Sequence, residues 1–224
     1  MRPLGLLALA LAGAGLFAGG CHAARVLAPP PPLRAASAAL YAVDLEFAVP
    51  LDKVSAEDPS HYLLYPPGSP GAPAAISSAT LIDTVSLRVV QLLVPSWLGD
   101  STKDDIPMVV EANGVLDYFG VSTGDRSVTF RTGLGYAQPM QAFFDARCSG
   151  CHSGANPSGQ YQTDSFGALF GPGMSATPNV IAGDPNCLTV VKCRPHNSMY
   201  NRANLSFLDY EMILNWVTVY LTRP

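Results

Sequence analysis

The stretch Tyr41-Ala42-Val43-Asp44-Leu45-Glu46-Phe47-Ala48-Val49 sets the character of the first half of the chain. Its large apolar side chains stand at every second position, and small or acidic side chains lie between them. A spacing of two is typical of a β-strand that buries one face. The stretch therefore predicts a strand with one face in a core and the other towards solvent.

Further segments with strand character follow up to about residue 132, separated by turn-forming residues such as Pro66-Pro67-Gly68 and Gly99-Asp100. The predicted strands after the first lie at residues 61–65, 76–82, 85–93, 108–111 and 127–131. Six or seven short strands within about 95 residues favour a small antiparallel sandwich.

The beginning of the chain has the pattern of an export signal. Arg2 precedes an apolar run over residues 4–18, and Gly19 and Gly20 stand directly before Cys21. A membrane-spanning helix is the alternative, but a bilayer requires about 20 apolar residues. Residues 1–20 are therefore predicted to be a signal peptide.

The run Ala18-Gly19-Gly20-Cys21 resembles the lipobox of bacterial lipoproteins, with Ala where that family more often has Leu. The resemblance implies cleavage before Cys21 and lipidation of this residue, whereas ordinary cleavage near Ala23 or Ala24 is the alternative. Several acyl chains would hold the protein to a membrane. The residue after Cys21 is His22 and not Asp, which is similar to the outer-membrane lipoproteins of enteric bacteria. This similarity implies an outer-membrane anchor facing the periplasm or the cell surface.

Composition narrows the class of protein. The 224 residues are 48% hydrophobic and 13% charged, which excludes a disordered chain. A net charge of −4 and the lack of a basic cluster exclude nucleic acid as a partner. Four consecutive prolines at residues 29–32 predict an extended spacer, so residues 21–38 are expected to be a lipid anchor and linker.

The run Cys148-Ser149-Gly150-Cys151-His152 places two thiols and an imidazole within five residues. This spacing is the attachment signature of c-type haem, in which the thiols form thioethers and the histidine reaches the iron. A redox switch would need the pair at the start of a helix, whereas a predicted helix at residues 139–147 precedes it. Zinc would need two more ligands, such as Cys187 with Cys193 or His196.

A second helix is predicted near the end of the chain. Ser206 and Asp209 have the spacing of a capping box, which marks a helix start. An apolar stripe at helical spacing follows. Its members are Tyr210, Ile213, Leu214, Trp216, Val217, Tyr220 and Leu221.

Residues 139–222 resemble a single-haem, class I cytochrome c. The resemblance lies in residues 143–152, 180–185 and 205–211 and in the Asn215-Trp216-Val217 run. It implies that Cys148 and Cys151 carry one covalent haem c, that His152 is the proximal iron ligand, and that a methionine before the last helix is the distal ligand.

Met199 stands where such cytochromes have the distal ligand, although Tyr200 takes the place of the usual proline. His196 and Met174 are the alternatives. The aromatic residues expected to pack against the haem are Phe143, Phe144, Trp216 and Tyr220.

Residues 39–133 resemble the Ig-like modules of bacterial surface proteins, in the segments 43–52, 58–64 and 114–120. No chemistry follows from this resemblance.

Cys187 and Cys193 are expected to form a disulfide in an oxidising compartment, and two free buried thiols are the alternative.

Together these observations predict a multidomain chain: an all-β Ig-like sandwich at 39–133 followed by an all-α cytochrome c domain at 139–224. The expected function is a membrane-tethered monohaem c-type cytochrome that exchanges electrons with a redox protein partner in the cell envelope. Since His152 and Met199 would fill both axial positions, an electron carrier is expected rather than an enzyme; an open-haem enzyme is the alternative if Met199 is not a ligand. A surface adhesion or assembly lipoprotein, with the haem domain as an accessory, is another alternative.

Overall fold

The structure is a computed structural model that describes residues 33–39, 41–95, 105–137 and 139–220. The predicted signal peptide, Cys21 and the proline segment lie outside the described residues. Within the described part of the chain, no helix combines the length and the apolar character needed to cross a membrane.

Seven antiparallel strands form two sheets in the described residues. One sheet has the order β1-β2-β5-β4 and the other β3-β6-β7. The strands are β1 Arg34–Ala39, β2 Ala42–Glu46, β3 Tyr62–Tyr65, β4 Ser78–Leu81, β5 Val89–Leu93, β6 Pro107–Ala112 and β7 Arg126–Arg131. The positions of the six predicted strands are confirmed, whereas β1 was not predicted and begins inside the segment assigned to the linker.

The alternation in β2 predicted one buried face and one exposed face, but both faces are buried. Val43 and Leu45 are fully buried in a core that contains residues of both sheets. Asp44, on the opposite face, is also buried, with 1% of its surface exposed. A helix near the end of the chain contacts β2 and lies close enough for Glu211 to act on the Asp44 carboxyl.

Six α-helices occur in the described residues, most of them in the second half of the chain. They are α1 Lys53–Ala56, α2 Met140–Arg147, α3 Phe166–Leu169, α4 Leu188–Cys193, α5 Ser198–Arg202 and α6 Phe207–Thr218. The predicted helices α2 and α6 are confirmed. Ser206 and Asp209 form the predicted capping box, with each side chain accepting a hydrogen bond from the other residue's backbone N–H.

The predicted fold class is wrong. The chain is a small α/β structure with two sheets and six helices in its described part, and not an all-β sandwich followed by an all-α cytochrome c domain. The reason lies in β1 and β2: Ala36 of β1 belongs to the helical core, and Arg34 of β1 pairs with Asp209 of α6. The sheet face that alternation assigned to solvent is partly covered by α6.

Candidate functional site

The Cys-x-x-Cys-His segment forms a tight turn at the end of α2. The backbone N–H groups of Cys148 and Ser149 both donate to the Phe144 carbonyl, at 2.8 and 2.9 Å. The N–H groups of Cys151 and His152 then donate to the Cys148 carbonyl, at 3.1 and 2.9 Å. These bonds fix the spacing of the two thiols and the imidazole because all three side chains leave one hydrogen-bonded turn.

The turn borders a cavity of about 450 Å³. Both thiols and the imidazole of the motif line it, together with the thioethers of Met174 and Met199. Sites for small molecules and cofactors typically have volumes of roughly 300 to 1,000 Å³. The structure therefore brings the predicted thioether, proximal and distal residues to one space of cofactor size.

His152 is held in one tautomer. Its Nδ1 lies 3.1 Å from the backbone carbonyl oxygen of Tyr161. Because a carbonyl oxygen can only accept, Nδ1 carries the proton and the lone pair lies on Nε2. Histidines that bind metals usually have this same second contact, which fixes the ring and leaves the other nitrogen as the ligand.

The three candidates for the distal ligand differ in position. Met199 is half-buried in α5 and packs against the helical core. Met174 also lines the cavity, but 77% of its surface is exposed. His196 is not among the lining residues. Burial and position together favour Met199.

Of the predicted haem-packing aromatics, Phe144 lines the cavity. Its ring meets that of Trp216 edge to face, with 5.8 Å between the centroids. Phe143, Trp216 and Tyr220 are buried but are not among the lining residues. The rings of Phe143 and Trp216 both pack against that of Phe144, and so support this part of the wall from behind. Tyr161, which the sequence did not single out, lines the cavity and is the partner of His152.

The charged side chains that line the cavity in the described part of the chain are all positive. They are Arg147, Lys192 and Arg202, with no Asp or Glu among the described lining residues. This contrasts with the net negative charge of the whole chain. An anionic group is the complement of such a border. Sequence reasoning missed this feature because the three cations belong to α2, α4 and α5, far apart along the chain.

The four cysteines in the described residues are free thiols. Burial raises the pKa of Cys148 to about 12 and that of Cys193 to about 12. Thiol–disulfide exchange requires a thiolate, so the raised pKa disfavours Cys148 as the attacking thiol of a redox switch. The described residues also contain no group of three or more His, Cys, Asp or Glu side chains that could hold a metal ion, which disfavours the zinc alternative.

The predicted disulfide is not formed in the structure. Cys187 caps the start of α4 and Cys193 is its last residue. Six residues of α-helix rise about 9 Å. A disulfide joins Cα atoms at most about 7 Å apart, so the helix separates the two thiols.

No protein-family model matches the chain, and no curated protein matches it. Solved structures similar to it include the N-terminal part of the bacterial S-layer protein SbsC, at 17% identity and a TM-score of 0.40, covering 47% of this chain and 24% of that one. A second is the S-layer protein rSbsC(31-844), at 17% identity and a TM-score of 0.34, covering 44% and 13%. A third comprises domains 1-6 of SbsC, at 18% identity and a TM-score of 0.35, covering 45% and 14%.

The chain thus spans less than a quarter of each of these neighbours, which are proteins of the bacterial cell surface. The recognition of a class I cytochrome c domain after an Ig-like domain is wrong, because the described part of the chain is a small α/β structure with two sheets and six helices. The assignment of the chain to the metal-binding cytochromes is corrected with it, since the described residues contain no cluster of three or more metal-binding side chains.

Proposed function

We propose that the cavity holds one haem, linked through Cys148 and Cys151, and that the protein carries electrons in the cell envelope. The observation that carries the proposal is the meeting of both thiols, the His152 imidazole and the Met199 thioether at one cavity. It depends on the site alone and not on membership of any family.

The residues present fit a haem in three respects. The Nε2 lone pair of His152 is free because Nδ1 donates to Tyr161. A porphyrin supplies most of the iron's ligands itself, so a protein need not provide a cluster of three or more metal-binding side chains. Haem also carries two carboxylates, and the cavity border has Lys192 and Arg202 to meet anions, in addition to Arg147, which already pairs with Asp209 at 3.3 Å.

When bound, haem supplies one-electron redox chemistry. His152 and Met199 would hold the iron from protein side chains, which leaves no position for a small ligand and favours a carrier over an enzyme. Phe144, Leu188 and Ala203 give the cavity wall apolar surface. Methionine ligation and an apolar surrounding both raise the reduction potential.

The location and partners complete the proposal. The export-type start and Cys21 support an envelope protein anchored by lipid at the outer membrane. A redox protein of the envelope would be the electron donor or acceptor. Such encounters use small contact surfaces, below about 1,200 Å².

The experiment is to express the full chain in a host that attaches c-type haem and to stain the purified protein for haem after denaturation. We expect stained protein with a reduced absorption band typical of c-type haem. The double variant Cys148→Ala/Cys151→Ala should lose the covalent stain. Cys187→Ala is the matched control, since Cys187 is a buried cysteine that does not line the cavity, and it should keep the stain.

Two results would contradict the proposal. One is iron-free wild-type protein from a host shown to mature another c-type protein. The other is equal staining of the double variant and the wild type, which would place any bound haem elsewhere.

A further inference from the structure

The most exposed apolar side chains of the described residues are concentrated in three segments. Phe119 is 85% exposed and Tyr118 is 64% exposed. Five of the six most exposed large apolar residues belong to α1, to the turn between β4 and β5, or to the loop between β6 and β7. These five, called here the apolar tip, are Val54, Val85, Tyr118, Phe119 and Val121.

Hydrogen bonds place the three segments at one end of the sheets. The backbone N–H of Leu51 donates to the carbonyl of Leu87 at 2.8 Å, which joins the start of α1 to the turn that carries Val85. The N–H of Tyr118 donates to the carbonyl of Pro50 at 2.9 Å. The three segments of the apolar tip are therefore neighbours beside residues 50–52, which follow β2.

The chain enters the fold at this same end. Arg34, the first residue of β1, pairs with Glu46, the last residue of β2. The segment that begins at Leu33 thus arrives beside the residues that lead from β2 to the apolar tip. Eleven residues lie between Cys21 and Leu33, and such a length spans at most about 40 Å. A lipid on Cys21 would keep the apolar tip close to the bilayer.

The tip is locally ordered. The Asp117 carboxylate accepts hydrogen bonds from the backbone N–H groups of Phe119 and Val121, both at 2.9 Å. The rings of Tyr118 and Phe119 meet edge to face, with 5.7 Å between their centroids. This fixed turn presents an apolar ring and a phenol side by side. Aromatic residues with one polar end are typical of the interface between lipid tails and head groups.

We propose that the apolar tip docks on the lipid bilayer to which the N-terminus is tethered. Phe119, Val54 and Val85 enter the head-group region, and the Tyr118 hydroxyl stays at its polar level. Lys53, which is exposed next to Val54 and lies 4.0 Å from Glu57, could exchange this weak contact for a lipid phosphate. The proposal uses the membrane tether of the proposed function and is independent of the haem.

Docking fixes the orientation of the protein as well as its distance. Because α6 packs on β1 and β2, and Asp209 of α6 pairs with Arg34 at this same end of the sheet, the cavity would be held in one orientation relative to the membrane. A redox partner would then meet the cavity in a restricted orientation.

The test uses the full-length chain, purified from the membrane fraction and reconstituted in vesicles of phosphatidylcholine and phosphatidylglycerol with bromine-labelled tails. Phe119→Trp reports on the tip. Tyr41→Trp is the matched control, because Tyr41 is an exposed aromatic directly before β2, at the opposite end of the sheet. The unsubstituted chain gives the background from Trp97 and Trp216.

Insertion to the head-group boundary predicts that, after subtraction of this background, brominated lipid lowers the emission of the Phe119→Trp variant about twofold and leaves that of Tyr41→Trp unchanged. Membrane-bound protein in which the Phe119→Trp emission is unchanged would overturn the docking while leaving the tether intact. Protein found only in the soluble fraction would remove the tether and overturn the proposal with it. If the tips can be cross-linked into dimers and no quenching is seen, the apolar tip binds a second copy of the chain. This result would also overturn the proposal.

Discussion

Asp209, fully buried at the start of α6, accepts a hydrogen bond from Arg34 of β1 at 2.5 Å. Its other carboxylate oxygen lies 3.3 Å from Arg147, the residue directly before Cys148. One carboxylate therefore connects the first strand, the last helix and the cavity. Because Arg34 is also paired with Glu46, the cluster neutralises charge at a contact between sheet and helix.

Replacing Asp209 tests how much this contact stabilises the fold. Asp209→Asn keeps the size and an acceptor for the Ser206 N–H, but it leaves two guanidinium groups without their buried partner. Since the two guanidinium groups are 39% and 34% exposed and Arg34 keeps Glu46, the expected cost is about 1 to 3 kcal/mol, less than for a fully buried pair. Urea unfolding should show a decrease of this order. Asp105→Asn, which removes an exposed pair with Arg131, should change the free energy of unfolding by less than about 1 kcal/mol. Equal effects of the two substitutions would contradict a structural role for Asp209.

Asp44 makes stability depend on pH. Its Oδ1 accepts from the Gln91 side chain at 3.0 Å, and its Oδ2 has no hydrogen-bond partner among the described residues. Burial, followed by the nearby Glu211 charge, raises the pKa of Asp44 to about 7, and burial raises the pKa of Glu211 to about 6. Since the folded-state pKa lies above the unfolded value, the folded state holds the proton more tightly. The contribution is complete below about pH 4 and is lost as the pH rises through 7.

Asp44→Asn should remove most of this dependence. A pKa difference of about three units corresponds to roughly 4 kcal/mol, which is an upper limit. We expect the variant to unfold at higher urea than the wild type at pH 8, and at about the same concentration at pH 4. Urea midpoints measured from pH 4 to pH 8 provide the test. Parallel curves for the two proteins would show that the Asp44 carboxyl does not titrate in this range.

The sequence predicted much of the local structure and little of how it packs. Strands β2 to β7 and helices α2 and α6 have clear apolar spacing or a capping box. These signals depend only on residues that are close together in the chain. β1 has the sequence Arg-Ala-Ala-Ser-Ala-Ala, which lacks the β-branched and aromatic residues that mark strands. In an alternating strand, an acidic residue such as Asp44 predicts a face exposed to solvent. The sequence therefore could not predict that α6 buries Asp44. At the site, the motif was visible because its residues are adjacent, whereas Lys192 and Arg202 meet it only after folding.

Gly173 is predicted to be essential to the shape of the cavity. Its φ is +57°, and a Cβ there would lie 2.8 Å from the Gly159 carbonyl oxygen. Gly173→Ala should therefore displace the wall that carries Met174 and lower stability by about 1 to 3 kcal/mol. Gly154→Ala is the matched control, because its φ is +75° but nothing lies within 4 Å. Thermal unfolding should place Gly154→Ala between the wild type and Gly173→Ala. Identical midpoints for the two variants would mean that crowding at Gly159 has no effect.

If the cavity holds the proposed haem, the identity of its distal ligand gives the sharpest test of the site. Met199 is half-buried in α5, whereas Met174 lines the same cavity from an exposed turn. A ligand must be held in place by its surroundings, and the packing of Met199 against the helical core meets this need better. Met199→Ala should keep the covalent haem, because Cys148 and Cys151 are unchanged, but lose the absorption band of a methionine–iron bond and lower the reduction potential. Met174→Ala, the matched control, should leave the band in place. If only Met174→Ala loses the band, Met174 is the distal ligand and Met199 is not. If both variants keep the band, neither methionine is the ligand.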